Sequence, residues 1–257
     1  MYIHNLDPIL IDFGFLVIRW YSLAYIFGIL IGWIYCKNKI SNSQNLKEKF
    51  DDYVTYLIIA IILGGRIGYV VIYNPSYYIN NLSEVIKVWN GGMSFHGAVI
   101  GIIIINYFYT KKNNLNYFAF LDYISLAAPI GLFLGRLANF VNSELYGKET
   151  SFFLSVKFEI IDDLYRHPSQ IYEAFFEGII LFILLNFILK RFIIYKGYIS
   201  GLFLIFYSFF RFLIEFTREP DQHLGYLFLN LTMGQILSLI FFTTGLFILY
   251  SKNLDEK

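Results

Sequence analysis

Four arginines and three carboxylates lie in or at the edges of long apolar runs: Arg19, Arg66, Arg136 and Arg211, with Asp122, Glu173 and Glu215. A guanidinium in hydrocarbon costs roughly 3 kcal/mol or more unless it is paired or faces a wet cavity, so each needs a partner or a task. The densest group is residues 135–147, Gly-Arg-Leu-Ala-Asn-Phe-Val-Asn-Ser-Glu-Leu-Tyr-Gly, which closes an apolar run over 117–134. It brings Arg136, Asn139, Asn142 and Glu144 together, and on a helix Arg136 and Asn139 share a face. Arg136 is therefore half of a buried ion pair or the receptor for an anionic group. Gly135 and Gly147 let another group approach the backbone closely.

Other stretches add to this set. Gly64-Gly65-Arg66-Ile67-Gly68-Tyr69 sits inside an apolar run, where its small residues permit close helix packing and Arg66 needs a partner or an anionic ligand. Trp89-Asn90-Gly91-Gly92-Met93-Ser94-Phe95-His96-Gly97 carries a histidine among glycines at the start of a third run. An imidazole titrates near neutral pH, which suits a general base. Asp122 reads as a counter-ion to one of the buried arginines. His167-Pro168-Ser169-Gln170 reads as a helix start with Pro168 in the first helical position, and places Glu173 a turn inside the apolar run. Arg211 and Glu215, four apart, pair with each other or leave Arg211 for an anion. No zinc-protease, serine-hydrolase, nucleotide-loop or paired-carboxylate metal pattern is present, so neither a metal nor a cofactor is expected. Guanidinium groups grip phosphate with two parallel donors, which makes a phospholipid head group the natural substrate.

These residues must be positioned by membrane helices. Of 257 residues 57% are hydrophobic, 21% aromatic and 15% charged, more apolar than a soluble domain. Seven apolar runs are long enough to be membrane helices: about 13–35, 53–73, 93–109, 117–139, 168–189, 197–216 and 227–250. The expectation is an all-α integral membrane protein, one domain over 1–257, with about seven helices around a lipid-binding cavity. Lys37, Lys39, Lys47, Lys49, Lys111, Lys112, Lys190, Arg191 and Lys196 fall in connections on one side, with Lys252 and Lys257. The other side has only Lys87, Lys148, Lys157, Arg166 and Arg218. The richer side is assigned to the cytoplasm, with the C-terminus inside, the N-terminus outside and a long outer segment at about 141–167. The net charge of +1 and the lack of a basic block argue against nucleic acid. The single cysteine, Cys36, excludes an internal disulfide and reads as a small apolar residue at a helix end. The N-terminal stretch lacks the basic start of a cleaved signal peptide.

The motifs resemble those of bacterial prolipoprotein diacylglyceryl transferases. Residues 135–147 look like that family's signature, with Ala138 where glycine is common. The stretches 64–69, 91–97, 167–170 and 218–221 fit in the family's order, although Ala98-Val99 replaces its usual Gly-Leu. The resemblance implies a multi-pass enzyme of the bacterial inner membrane. It would move diacylglyceryl from phosphatidylglycerol to the lipobox cysteine of a prolipoprotein signal peptide, forming a thioether and releasing glycerol phosphate as the first step of lipoprotein maturation. It also implies Arg136 as the phosphatidylglycerol-binding arginine and His96 and Arg211 as catalytic. Arg66, Asn139, Glu144 and Tyr21 match positions important in the family, and these, with Glu215 beside Arg211, are expected in substrate binding. Membrane lipids and the prolipoprotein are the partners, and no cofactor is implied.

Overall fold

A computed structural model describes residues 1–14, 17–40, 43–72, 75–88, 91–192, 195–220 and 225–255. Of the motif residues read above, Trp89, Asn90 and Asp221 fall outside these, as do the side chains of Phe95 and His96. The chain is mostly helical and divides into two compact units, Met1–Cys36 with Asp122–Lys257, and Lys37–Leu121. Among the described residues, four helical stretches are long and apolar enough to cross a membrane: Gln44–Val71, Leu121–Val141, Ser169–Ile188 and Met233–Ser251. Tyr198–Ile214 is apolar but shorter.

The first unit opens with three short strands, β1 (Tyr2–His4), β2 (Ile9–Asp12) and β3 (Val17–Arg19), before helix α1 (Trp20–Lys39). β2 and β3 form an antiparallel hairpin, so the helix starts at residue 20 and not at the expected 13. Apolarity alone misplaced this boundary, because an exposed β-branched hairpin is as hydrophobic as a helix end. Arg19 ends that hairpin and is exposed. Helix α5 (Leu121–Val141) runs antiparallel to α1 through small residues. A methyl built on Gly28 would lie 3.3 Å from Gly131 Cα, Gly32 abuts Ala127, and the buried Cys36 thiol donates to the Tyr123 carbonyl at 3.0 Å. Cys36 is the small helix-end residue expected.

Beyond α5 the chain forms β4 (Val156–Phe158) and β5 (Tyr165–Arg166). β4 pairs parallel to β1 and antiparallel to β5. His4 is buried between Phe140 and Phe158, with Nδ1 3.2 Å from Ser143 Oγ, and burial holds its imidazole below the ordinary histidine range. Then come α6 (Ser169–Glu173), a π-helical stretch Ala174–Ile180, α7 (Leu181–Phe192), α8 (Tyr198–Ile214) and α9 (Met233–Asp255). Pro168 caps α6 instead of occupying its first turn.

Asp122 does not neutralise an arginine, as the sequence suggested. Its Oδ2 accepts from Gly197 N at 2.7 Å, and its Oδ1 from Ser200 N and Oγ at 2.9 and 2.7 Å. It caps α8 from a neighbouring helix, filling the place of the Asp or Ser that Gly197, at φ 96°, does not supply.

In the second unit α2 (Gln44–Ile72) packs on α4 (Phe95–Lys112), with the short α3 (Pro75–Asn80) between them in sequence. A methyl on Gly68 would stand 2.7 Å from Gly97 Cα, so glycine sets the close approach expected for this motif. Ser94 caps α4 by accepting from Gly97 N at 3.2 Å, while its own N–H donates to the Gly65 carbonyl at 2.8 Å.

Candidate active site

The buried charge of the first unit collects around Glu173 and Glu177. Glu173 ends α6 and Glu177 lies in the π-helical stretch that follows; both side chains are fully buried. Wide π turns are uncommon and are found often at functional sites. From α5, Arg136 Nε lies 2.9 Å from Glu173 Oε2, and its terminal nitrogen lies 3.5 Å from Glu177 Oε2. From α8, Arg211 donates one terminal nitrogen to Glu173 and approaches Glu177 Oε1 at 3.8 Å. Its other terminal nitrogen is 2.7 Å from Glu215 Oε2. Arg218 reaches Glu173 at 3.5 Å. Tyr207, one helical turn before Arg211, lies in the same electrostatic field. Three arginines thus face three glutamates, a balanced arrangement that an apolar setting demands.

Arg211 therefore does pair with Glu215, but it also serves a carboxylate on another helix. Glu215 is itself held from α9. Thr232 Oγ1 donates to Glu215 Oε1 at 2.8 Å, and Thr232 and Gln235 cap α9 reciprocally, at 3.0 and 3.3 Å. Gly234 lies beneath the Glu215 carboxylate, where a methyl would stand 2.6–2.8 Å from its atoms.

The signature turn sits at the end of α5. Asn139 and Asn142 donate to the two Glu144 oxygens at 3.0 and 3.2 Å, so Asn139 serves Glu144 and not Arg136. Ser143 and Leu145 adopt φ of 54° and 58°, a left-handed conformation that L residues hold only when surroundings enforce it. The enforcement comes from α6. Gln170 Nε2 donates to the Glu144 carbonyl at 2.6 Å, and Ser169 Oγ to the Leu145 carbonyl at 2.8 Å. Backbone bonds join Gly147 to His167, Lys148 to Thr217 and Glu219 to Tyr146, stitching the ends of α5, α6 and α8 together. Burial holds the His167 imidazole below its usual range, with Nδ1 3.2 Å from Tyr172 OH. Tyr21 meets Tyr25, hydroxyl to hydroxyl, at 3.3 Å, and Tyr25 is the one in the field of Arg136 and Glu144.

In the second unit Arg66 has a different kind of partner. Nε donates to Val85 O at 2.9 Å. The terminal nitrogens donate to Glu84 O at 2.6 Å, Gly92 O at 3.1 Å and Gly91 O, and the guanidinium lies 5.2 Å over the Tyr78 ring. Four of its five donors are committed to carbonyl groups. Arg66 thereby shapes the loop leading to His96. His96 is the second residue of α4, and its side chain lies outside the described residues.

Sequence reasoning missed Glu177, although it follows Glu173 by one helical turn within an apolar run, the same signal that singled out Glu173. It also missed the Thr-x-x-Gln box at 232–235 that holds Glu215. Among the described residues no group of histidines, cysteines and carboxylates could hold a metal ion.

A family model for prolipoprotein diacylglyceryl transferase matches residues 8–251. The chain belongs to this family. A phosphatidylglycerol–prolipoprotein diacylglyceryl transferase of Rickettsia bellii (strain OSU 85-389) is 49% identical over 249 residues, 95% of each chain. Proteins of the same name from Rickettsia felis and Rickettsia typhi are 46% and 49% identical. The first match covers 97% of this chain and 98% of the relative, the second 93% of each.

The support of Glu215 by α9 is testable. Gly234→Ala should destabilise the protein by about 1–3 kcal/mol through overpacking and weaken Arg211's placement. Gly131→Ala, at a position where a methyl meets nothing within 4 Å, should be neutral or stabilising by about 0.5–1 kcal/mol. Thermal unfolding in detergent compares them, and equal effects would contradict the account of Gly234.

Proposed function

We propose that this chain transfers the diacylglyceryl group of phosphatidylglycerol to the lipobox cysteine thiol of a prolipoprotein, the first step of lipoprotein maturation. The observation that carries this reading is the convergence of Arg136 and Arg211, from different helices, on one buried carboxylate, Glu173. That places two permanently charged guanidinium groups side by side in an apolar setting, where donors to a developing anion act most strongly. The thiolate sulfur attacks the glycerol carbon bearing the phosphate ester. The C–S bond forms as the C–O bond breaks, and the electron pair leaves on glycerol phosphate. Arg136 and Arg211 bind the phosphate and stabilise its growing charge. Arg136, with 16% of its side chain exposed against 10% for Arg211, is the more accessible for the first contact. Glu215 and Glu173 orient Arg211, while Asn139 and Glu144 hold the turn beside Arg136. Tyr21 contributes through Tyr25, and Arg66 through the loop it gathers.

A thiol of pKa near 8.5 must lose its proton to attack, and we assign its acceptance to His96, whose ordinary range is near neutral. We read the chain as one membrane domain of the bacterial inner membrane. Its seven helices are α1, α2, α4, α5, the continuous stretch from α6 through α7, α8 and α9, with the C-terminus cytoplasmic. The basic residues of the loops support that orientation.

Transfer to a lipobox peptide from phosphatidylglycerol in mixed micelles tests the reading. Arg136→Lys and Arg211→Lys should each lose at least about 100-fold in activity with folded yield retained, because a point charge does not reproduce a planar grip. Near-normal turnover in either would contradict the phosphate clamp. His96→Gln should slow transfer most at low pH and recover in part with a peptide thiol of lower pKa; wild-type rates across the pH range would remove His96 as the base. Single cysteines at Ser83 and Asn253, with Cys36 buried, should label from opposite faces of the membrane. Labelling from one face refutes the orientation.

A further inference from the structure

Glu177 is the member of the charged cluster whose carboxylate is held least closely. Both oxygens are buried and lack a partner at bonding geometry; its nearest cations are Arg136 at 3.5 Å and Arg211 at 3.8 Å. Its companions are held more closely. Glu173 accepts from Arg211 and also meets Arg136 and Arg218, while Glu215 has Arg211 at 2.7 Å and the Thr232 hydroxyl at 2.8 Å. The groups acting on Glu177 are Arg136 from α5, Arg211 and Tyr207 from α8, and Glu173 one turn earlier on its own helix.

The cluster of Arg136, Arg211 and Arg218 against Glu173, Glu177 and Glu215 sums to zero when all six are ionised. A phosphodiester anion drawn to Arg136 and Arg211 would leave one uncompensated negative charge in an apolar site. Such a charge is costly enough that a group in the site changes protonation instead. The carboxylate with least to lose is the one with the longest contacts.

We propose that Glu177 is a proton-linked counter-charge for the lipid phosphate: phosphatidylglycerol binds as Glu177 takes up one proton from the aqueous phase. The proton adds to a carboxylate oxygen, giving a neutral acid, and the cluster with its bound phosphate is neutral again. Arg136 and Arg211, released from Glu177, turn their donors to the phosphate. Glu177 is thus a positioning residue that acts through the two arginines and touches no reacting atom. This inference rests on the diacylglyceryl-transfer reading above.

Titration calorimetry of the wild-type protein in detergent at about pH 8, in buffers of different ionisation heat, reads the proton directly and needs no variant to fold. One proton should enter per phosphatidylglycerol bound, and none with diacylglycerol, which lacks the phosphate. The dissociation constant should rise up to tenfold per pH unit as pH increases, the linkage for one proton. Glu177→Gln, already neutral, should bind phosphatidylglycerol with no proton uptake and no such slope. Binding to the wild type without proton uptake overturns the proposal and leaves the transfer reading intact, as does an unchanged pH slope in a folded Glu177→Gln. Failure of the wild type both to bind phosphatidylglycerol and to lipidate a lipobox peptide refutes the functional reading, and this inference with it.

Discussion

Removing one ion from a buried, balanced set leaves its partner uncompensated, at a cost of about 3–5 kcal/mol. The first unit of this protein is arranged around that constraint. Glu173 cannot stand in an apolar helix without the arginines of α5 and α8, and those arginines cannot stand there without it. Each remaining device supports one of the pair-makers. The box at Thr232 holds Glu215 against Arg211, Gly234 makes room for its carboxylate, and Asp122 fixes where α8 begins. A charged cluster of this kind gives no large net stabilisation. It fixes the positions of cationic groups in an apolar setting.

The second unit uses the same residue type to the opposite end. Arg66 is as deeply buried as Arg211, yet carbonyl oxygens occupy its donors. Carbonyls carry no formal charge, so these partners offset none of the arginine's own, and four of its five donors are spent on the carbonyls of residues 84, 85, 91 and 92. An arginine held by carboxylates belongs to a set that a further anion can disturb. One wrapped in carbonyls organises a loop. Sequence shows that both arginines need partners, but the kind of partner is a property of the fold.

Much of the architecture was legible in the chain. Apolar runs gave the long helices, the glycines at 64–68 pointed to a close helix contact without naming its partner, and charge in apolar surroundings pointed to Arg136, Arg211, Glu173 and Glu215. The errors have physical causes. The hairpin before α1 is apolar without helical periodicity, so hydrophobicity extended the helix too far. Asp122 was read through its charge, whereas its hydrogen bonds are to the start of another helix, a pairing that only packing creates. Glu177 was visible by the rule that found Glu173, since it lies four residues further along the same apolar run, and it was missed. The left-handed Ser143 and Leu145 carried no sequence signal, because their conformation is imposed by Ser169 and Gln170 across the fold.

The distance along the chain between the charged partners bears on how the protein is made. Glu173 follows Arg136 by 37 residues, and Arg211 follows Glu173 by 38. At roughly 5–20 residues per second, Arg136 leaves the ribosome about 2–7 s before Glu173 does. During that interval α5 carries a guanidinium with no counter-ion on α6, and the bilayer interior is the least hospitable place for it. The helix is therefore expected to wait at the protein-lined insertion channel, or with Arg136 drawn to the interface, until Glu173 and Glu177 arrive. The ion cluster that positions the arginines in the finished protein also sets the order in which its helices can be released into lipid.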